Sequence, residues 1–542
     1  METPKRRALV VCTHLRRDRS KRASRDFLQP ITGLHIGSLI DAARFDVELH
    51  HEDWHGPYDT SRPGRFDLVF LTGLHADFDR MRQLSFHFRR GGAVVVAGGS
   101  ICTLFPEFAA RFFDAVCAGG VDSVGDVVAD FEANRLRRIY RSPQSRIADY
   151  RLNHRLFTRA GIDPPLHLLE ASRGCSFRCR FCVLPAEGAS HAPYGLDAVA
   201  DAIDDAIAAS PRLSLRRLWP TLYFLDNNFS DDREHMLRVC DMLRNHRRVR
   251  GWGALITQNV LQDHETILHL ARSKCRALFV GVESLDREFL RRHNKKQNLS
   301  RGQDVVDDIL FTERQGILVT YPYLFDPRLA TVADMERQVA ALGNIPGLPP
   351  PAFFSLVSPL AGTAGFWDSM AAGELRPGLL LRDLDGETIA YSALRDPPER
   401  VAEFVRTLST RPWTWIHPAR LPWMTLRRLW NARGRDAVHW YAVVLSSLRV
   451  FDTARAYRAD LPRTYLGGAD RLDPQYDERP ADISAGDRET YFEPIRLTDA
   501  QGGMADWLRP YAAGSDGREP ATAGKGMLAE ATSAPAAAGG AA

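Results

Sequence analysis

The chain has 542 residues, which is long for one domain and predicts two or three. Its 71 Lys and Arg residues nearly balance 67 Asp and Glu residues, so the net charge of +4 gives no case for a nucleic-acid partner. We expect no secretory signal, because no hydrophobic segment of that kind follows the basic N-terminus. No uncharged apolar run reaches about 18 residues, so we expect no transmembrane helix.

The first 130 residues alternate short apolar segments with helical patterns. This alternation predicts an α/β domain built on an open, doubly wound parallel sheet. Ligands of such sheets bind at the carboxyl ends of the strands, and three of the predicted strands end in permissive glycines. No G-x-G-x-x-G motif is present, so a dinucleotide site is not favoured. The five predicted strands are 8–12, 45–49, 67–73, 93–99 and 114–120, and the candidate ligand contacts are Thr72, Gly73, Gly98, Gly99, Ser100, Gly119 and Gly120.

Three further features of the chain have simple interpretations: a histidine-rich run, a stretch rich in Arg, Pro and Tyr, and five scattered cysteines. The run from His50 to His55 allows a metal site, but we favour a solvated loop. Residues 131–165 are rich in Arg, Pro and Tyr and predict a linker, which we place at 141–164. Five scattered cysteines lie mostly in apolar runs and are interpreted as small buried hydrophobes: Cys12, Cys102, Cys117, Cys240 and Cys275.

From residue 165 to 365 the strand and helix patterns repeat six times. Six repeats predict a partial (β/α)6 barrel, whose site is lined by polar groups at the carboxyl ends of the strands. The predicted strands are 166–169, 221–228, 252–259, 277–284, 317–323 and 353–359.

Directly after the first of these strands, Cys175, Cys179 and Cys182 fall within eight residues at offsets of four and three. One tight loop of this kind points three thiolates at one iron–sulfur cluster and leaves one iron of a cubane without a protein ligand. A structural zinc site would need a fourth Cys or His nearby, but the next candidate, His191, is nine residues past Cys182. Three unrelated buried cysteines are the other alternative. Thiolate ligands and free cysteines suit a reducing cytosol, so we expect a cytoplasmic protein.

Phe181, before the last cysteine, completes the pattern CxxxCxΦC, and residues 165–365 resemble the core of the radical S-adenosylmethionine (SAM) superfamily. The resemblance implies a [4Fe-4S] cluster whose open iron is chelated by SAM. Tyr323-Leu324-Phe325-Asp326 departs from the family's glycine-containing Gly-Phe-Asp turn, which puts that SAM contact in doubt. The implied SAM-binding residues are Phe181, Asp226, Asn227, Gln258 and Glu283.

Residues 8–130 resemble the cobalamin-binding domain that precedes many radical SAM cores, and the run Asn294–Asn298 also resembles members of that type. The resemblance implies that residues 1–140 bind cobalamin through the glycine-rich strand ends. No DxHxxG motif is present, so we expect no protein ligand to cobalt. A cofactor-free scaffold is the alternative.

Residues 366–511 are expected to be mainly helical, and 381–388 resemble a segment of the branch that includes hopanoid methylases. Residues 512–542 are rich in Ala, Gly and Ser and are expected to be disordered. Five tryptophans between residues 413 and 440 lie among arginines, which allows a peripheral membrane contact, although packing against the barrel is the simpler interpretation. They are Trp413, Trp415, Trp423, Trp430 and Trp440.

Taken together, the resemblances imply a cobalamin-dependent radical SAM enzyme. Such an enzyme generates a 5′-deoxyadenosyl radical and transfers a methyl group from methylcobalamin to an unactivated carbon of a small-molecule or lipid substrate. A low-potential electron donor such as flavodoxin or ferredoxin is implied as a partner. A radical cyclase or oxidase without methyl transfer, and a non-catalytic iron–sulfur redox carrier or sensor, are the alternatives. No catalytic residue and no particular substrate is indicated.

Overall fold

A computed structural model of the chain describes residues 4–15, 31–61, 64–142, 150, 152–164, 166–299, 305–386, 388–410, 420–432, 439 and 480–512. The predicted tail at 512–542 lies outside these residues except for Ala512, and so do Trp413, Trp415 and Trp440.

The N-terminal part is a six-stranded parallel sheet in the order β2-β1-β3-β4-β5-β6. Successive residues of β1 point to opposite faces: Ala8 and Val10 join one hydrophobic core, and Leu9 and Val11 join the other. Burial on both faces explains why the central strands are continuous apolar runs. The strands are β1 Arg6–Cys12, β2 Phe45–His51, β3 Leu68–Gly73, β4 Val94–Gly99, β5 Ala115–Gly119 and β6 Ile139–Ser142.

The predicted doubly wound sheet is therefore confirmed, with one strand more than the sequence indicated. Strand β6 falls in the Arg-rich stretch that predicted a linker. It is a four-residue edge strand in which only Tyr140 is buried, so its hydrophobic pattern is too weak to stand out.

The second part is the predicted barrel. A five-stranded sheet has the order β13-β12-β11-β10-β7, and β14 pairs with β15 beside it. Strands β13 and β14 are two halves of one predicted strand, interrupted at Tyr321. The bounds are β7 His167–Leu169, β10 Thr221–Phe224, β11 Gly251–Thr257, β12 Cys275–Gly281, β13 Leu318–Thr320, β14 Pro322–Phe325 and β15 Phe353–Leu356, with β8 Ser172–Arg173 and β9 Ala192–Pro193 forming a separate antiparallel pair.

Helices connect the strands, and others follow the barrel in the part of the C-terminal region that the structure describes. Those up to the barrel are α1 Thr32–Ser38, α2 Glu52–His55, α3 Phe78–Arg90, α4 Ser100–Leu104, α5 Pro106–Ala109, α6 Ser123–Glu132, α7 Arg155–Arg159 and α8 Val183–Ala186. Those of the barrel are α9 Leu196–Ala209, α10 Leu215–Leu218, α11 Arg233–Asn245, α12 His264–Arg272, α13 Arg287–Arg292, α14 Val305–Arg314 and α15 Val332–Asn344. Those that follow are α16 Ala364–Ala371, α17 Pro398–Thr410, α18 Arg420–Asn431, α19 Ala485–Asp487 and α20 Arg509–Ala512.

The C-terminal segment returns to the N-terminal sheet. Trp507 stacks on Phe108 with ring centroids 4.0 Å apart. The buried guanidinium of Arg82, on α3, donates to the backbone carbonyls of Thr490 and Glu493. Residues from both ends of the chain therefore share one hydrophobic core.

The run from His50 to His55 is not a solvated loop. It ends β2 and forms α2, with His51, Glu52 and Trp54 buried. The carboxylate of Glu52 is fully buried and pairs with Arg80 at 2.8 Å, which explains why Glu52 faces inward. Among the helices that the structure describes, none is long and apolar enough to cross a membrane.

Candidate active site

The three cysteines lie in the loop between β8 and α8, at the carboxyl end of β7. Gly174 opens this loop with φ +82°, and a Cβ on it would lie 2.0 Å from the carbonyl oxygen of Ser190. A glycine is required there, because any side chain would push the two segments apart. The amide of Cys182 donates to the carbonyl of Cys179 at 3.1 Å, which closes a tight turn between these two cysteines.

Burial raises the pKa values of two of the three thiols. It raises the pKa of Cys175 to about 11, against hydrogen bonds from the amide of Phe177 and the side chain of Asn228. Burial likewise raises the pKa of Cys182 to about 12, with the neighbouring thiols adding to the effect. The free thiols of Cys175 and Cys182 are therefore neutral, and iron would displace their protons on binding.

The segment after β10 holds the cysteine loop along its length. Asp226 accepts hydrogen bonds from the Ser172 hydroxyl at 2.5 Å and the Ala171 amide at 3.0 Å. Asn227 accepts from the Gly174 amide at 2.9 Å, and burial raises the pKa of Asp226 to about 7. These two predicted SAM contacts therefore use side-chain oxygens to shape the cysteine loop.

Glu283 lies just past the end of β12, in a conformation that few residues other than glycine adopt. Its φ is +65°, and a backbone bridge to Tyr323 fixes it there. Its carboxylate pairs with the buried ammonium of Lys295 at 2.8 Å. Against the opposing effect of burial, Glu283 and the thiols of Cys179 and Cys182 raise the pKa of Lys295. Strain of this kind is retained mostly at functional sites.

Two other predicted SAM residues occupy different environments. Gln258 follows β11, and its buried Oε1 has no hydrogen-bond partner among the described residues. A buried polar atom of this kind leaves an acceptor for a ligand. Phe181 instead packs against a small hydrophobic cluster that includes Phe289 and Val357, so it anchors the cysteine loop to the barrel.

The glycine-rich strand ends of the N-terminal sheet lie side by side, since β3, β4 and β5 are neighbours. Most of the glycines are required by the fold itself: a Cβ on Gly99, whose φ is +112°, would lie 2.4 Å from the carbonyl of Gly73. Gly98 differs, because a Cβ there would meet nothing closer than 3.8 Å. A small side chain would therefore fit at Gly98 without a clash.

The carboxyl edges of the two sheets face each other. His75, just past β3, contacts the carbonyl of Ala361, past β15, through its Nε2 at 3.0 Å. His35, on α1, lies 3.3 Å from Glu170, at the end of β7. Against desolvation, Arg173 and His35 lower the pKa of Glu170 to about 2. Both buried imidazoles are thus held at the junction between the two parts of the chain.

Three residues at the cysteines were missed by the sequence reasoning as site residues: Asn228, Lys295 and Gln297. The amide nitrogen of Asn228 lies 3.7 Å from Cys175 Sγ, and that of Gln297 lies 3.5 Å from Cys179 Sγ. Lys295 and Gln297 belong to the run Asn294–Asn298, which stood out only by resemblance.

No family model matches the chain. It is 23% identical over 358 residues to bacteriochlorophyllide d C-8(2)-methyltransferase of Chlorobaculum tepidum, covering 64% of this chain and 77% of that protein. It is 22% identical over 245 residues to hopanoid C-2 methylase of Rhodopseudomonas palustris, covering 43% of this chain and 45% of the relative. The fold matches the radical SAM methyltransferase TsrM from Kitasatospora setae, solved with cobalamin and a [4Fe-4S] cluster bound, with a TM-score of 0.53 and 17% identity over 83% of this chain and 100% of that one.

Proposed function

We propose that this chain, which has the fold of a cobalamin-dependent radical SAM methyltransferase and is related in sequence to methyltransferases, is itself a radical SAM C-methyltransferase. The cysteine loop carries the proposal, because it lies where the carboxyl edges of the two sheets face each other. Since its relatives are named for a bacteriochlorophyllide and a hopanoid, we expect a small-molecule or lipid substrate.

The residues present fit the three groups that this reaction needs. Cys175, Cys179 and Cys182 would hold the [4Fe-4S] cluster, and Gln258 and Glu283 offer acceptors for SAM. The glycine-rich strand ends around Gly98 would contact cobalamin, and a Cβ at Gly98 would meet no atom closer than 3.8 Å. When bound, these groups supply a 5′-deoxyadenosyl radical and a methyl group for carbon.

The chain's own contribution is to bind and to exclude water. The oxygens of Asp226 and Asn227 fix the cysteine loop. The contacts of His35 and His75 hold the N-terminal sheet over the barrel, which would keep a reactive radical away from solvent.

The proposal also includes the compartment in which the enzyme works, its electron donor and a membrane contact. All eight cysteines are free thiols, which suits a reducing compartment such as the cytoplasm. A low-potential donor such as flavodoxin or ferredoxin would reduce the cluster. A peripheral membrane contact stays a prediction, for which α18 offers exposed Trp423 and Leu426.

The test is anaerobic reconstitution with iron, sulfide and cobalamin, followed by identification of the products of SAM. We expect S-adenosylhomocysteine together with 5′-deoxyadenosine. Deoxyadenosine alone would favour a cyclase or oxidase, and an iron-loaded protein that never cleaves SAM would indicate a redox carrier or sensor.

A matched pair of cysteine variants controls the cluster assignment. Changing Cys175, Cys179 and Cys182 to Ala should abolish iron uptake and the broad visible absorbance of the cluster. Cys240→Ala removes a thiol that is buried on α11, so it should leave both unchanged. Full iron content in the triple variant would contradict the proposal.

A further inference from the structure

The side-chain amides of Asn228 and Gln297 each place a nitrogen atom near the sulfur atom of a cysteine. Asn228 Nδ2 lies 3.7 Å from Cys175 Sγ, and Gln297 Nε2 lies 3.5 Å from Cys179 Sγ. Both lengths suit a hydrogen bond to sulfur, which is a larger atom than oxygen. Gln297 is 118 residues away from its cysteine, so the fold and not the local loop brings the two together.

The amide of Asn228 is held in one orientation. Its Oδ1 accepts from the amide of Ser230 at 3.2 Å and from its hydroxyl at 2.7 Å. The Nδ2 must then face the other way, where it donates to Asp231 at 2.8 Å as well as to Cys175. This network assigns nitrogen, and not oxygen, to the sulfur side.

The turn that carries Gln297 is held equally firmly. Gln297 lies in the single 3₁₀ turn Lys296–Asn298. Asn298 donates to the carbonyls of Gly281 and Val282 at 2.9 and 2.8 Å, which ties the turn to the end of β12. Asn228 is therefore a fixed donor to its sulfur, and the turn keeps the side chain of Gln297 within hydrogen-bond distance of Cys179.

We propose that Asn228 and Gln297 tune the cluster by donating hydrogen bonds to the sulfurs of Cys175 and Cys179, so that its reduction potential is higher than it would be without them. This rests on the proposed function, which supplies the cluster. A reduced cluster carries one more negative charge than an oxidised one, and part of that charge resides on the thiolate sulfurs. Donors at sulfur therefore stabilise the reduced state more than the oxidised state.

The test compares three variants with one control in reconstituted, substrate-free protein. Gln297→Met keeps the length of the side chain and removes the donor, Asn228→Ala removes the other donor, and the third variant combines the two. The control is Asn294→Gly. Asn294 donates to the carbonyl of Arg178 at 2.7 Å, so its loss removes a hydrogen bond to the same loop without touching sulfur. Glycine also accepts the φ of +53° at this position.

The measurement is a redox titration of the cluster followed by electron paramagnetic resonance. We expect the double variant to hold about tenfold less reduced cluster, relative to oxidised, at a given potential, a shift of ~59 mV for a one-electron couple. Each single variant should shift in the same direction by less, and Asn294→Gly should keep the wild-type potential.

A spectroscopic readout separates this role from a structural one. In the wild-type protein, electron–nuclear double resonance of the reduced cluster should detect exchangeable protons at the sulfurs, and Gln297→Met should lose one such coupling. A wild-type potential in fully iron-loaded variants, or a shift equal to that of Asn294→Gly, would overturn the inference. A variant that loses its iron would assign its amide to cluster assembly and overturn the inference for that residue. If the wild-type protein takes up no iron and sulfide, the proposed function itself fails, and the iron assay identifies that case.

Discussion

Glu283 is strained in its backbone and paired in its side chain. Its positive φ is held by the bridge to Tyr323, and its carboxylate balances the buried Lys295. Removing one partner of a buried ion pair leaves the other charge uncompensated, which typically costs about 3–5 kcal/mol. A single substitution at Glu283 therefore tests two properties at once, stability and ligand binding.

A double-mutant cycle separates the two. In the cofactor-free protein, Glu283→Gln and Lys295→Met should each lower the free energy of unfolding by about 3–5 kcal/mol, and the double variant should lose less than the sum. With cofactors, Glu283→Gln should weaken SAM binding about ten- to a hundredfold, since a charged hydrogen bond is worth about 1.5–3 kcal/mol. Urea unfolding and SAM affinity are the measurements. If the double variant recovers wild-type affinity, Glu283 serves only to balance Lys295.

Asp226 makes the stability of the cysteine loop sensitive to pH. Burial raises its pKa to about 7, whereas an unfolded aspartate titrates near about 3.9. The folded state thus binds a proton more tightly than the unfolded state. The stability this contributes is fully present below pH ~4 and is lost as the pH rises through about 7.

Asp226→Asn should remove this dependence. Asn has the shape of the neutral acid but does not titrate, so the free energy of unfolding of the cofactor-free variant should fall less steeply than that of the wild type between about pH 5 and 8. Urea unfolding across this range is the measurement. Equal slopes in the two proteins would mean that Asp226 is ionised in the folded state.

At the scale of the element, neighbouring glycines at the end of β4 have different reasons to be there. Gly99 is required by its positive φ and by the nearness of the Gly73 carbonyl. Gly98 meets neither constraint, since a Cβ there would make only ordinary contact with Cys117, and this makes it the residue at which the proposed cobalamin contact can be tested.

Gly98→Val and Gly99→Val form a matched pair. Gly98→Val should fold and take up iron normally but fail to retain cobalamin, because its side chain fills the space at the sheet edge. Gly99→Val should lower the midpoint temperature of unfolding even without cofactors, since the strained φ alone costs about 1–3 kcal/mol. Calorimetry and bound cobalamin are measured on both. If Gly98→Val still binds stoichiometric cobalamin, the corrin does not bind at this edge of the sheet.

The positions of the strands could be predicted from the sequence, but the contacts between side chains that lie far apart in the chain could not. Apolar runs such as Ala8–Cys12 and Trp252–Thr257 located the strands because burial on both faces demands them. The sequence also placed Asp226 at a strand end, but a polar residue there can contact a ligand or a neighbouring loop equally well. The donor Gln297 carries no local signal, since only the closed barrel brings it to Cys179.

At the scale of the whole molecule, the C-terminal segment completes the N-terminal domain. Sequence periodicity divides the chain into successive domains, but the structure joins its two ends in one hydrophobic core. The stacking of Trp507 on Phe108 lies at the centre of this contact.

Trp507 is partly buried against this core, so Trp507→Ala should destabilise the N-terminal sheet by about 1–3 kcal/mol. Trp423→Ala is the control, because that side chain is 63% exposed and its loss should change stability by only about 0.5 kcal/mol. Thermal unfolding and proteolysis of the N-terminal domain are the measurements. Equal stability in both variants would mean that the C-terminal segment only lies on the surface.

Two hydrogen bonds of Arg82 can form only after most of the chain has been synthesised. Its guanidinium is buried against the carbonyls of Thr490 and Glu493, which lie 408 and 411 residues later in the chain. At about 5–20 residues per second, a ribosome needs roughly 20–80 s to deliver them. Throughout that time the nascent N-terminal domain displays Phe108, and the Arg82 guanidinium has its neighbour Asp79 as a partner but not yet these two carbonyls. The N-terminal domain thus emerges first from the ribosome, but its packing is completed only when the C-terminal segment has been made. We therefore expect a chaperone to bind newly made chains until translation ends.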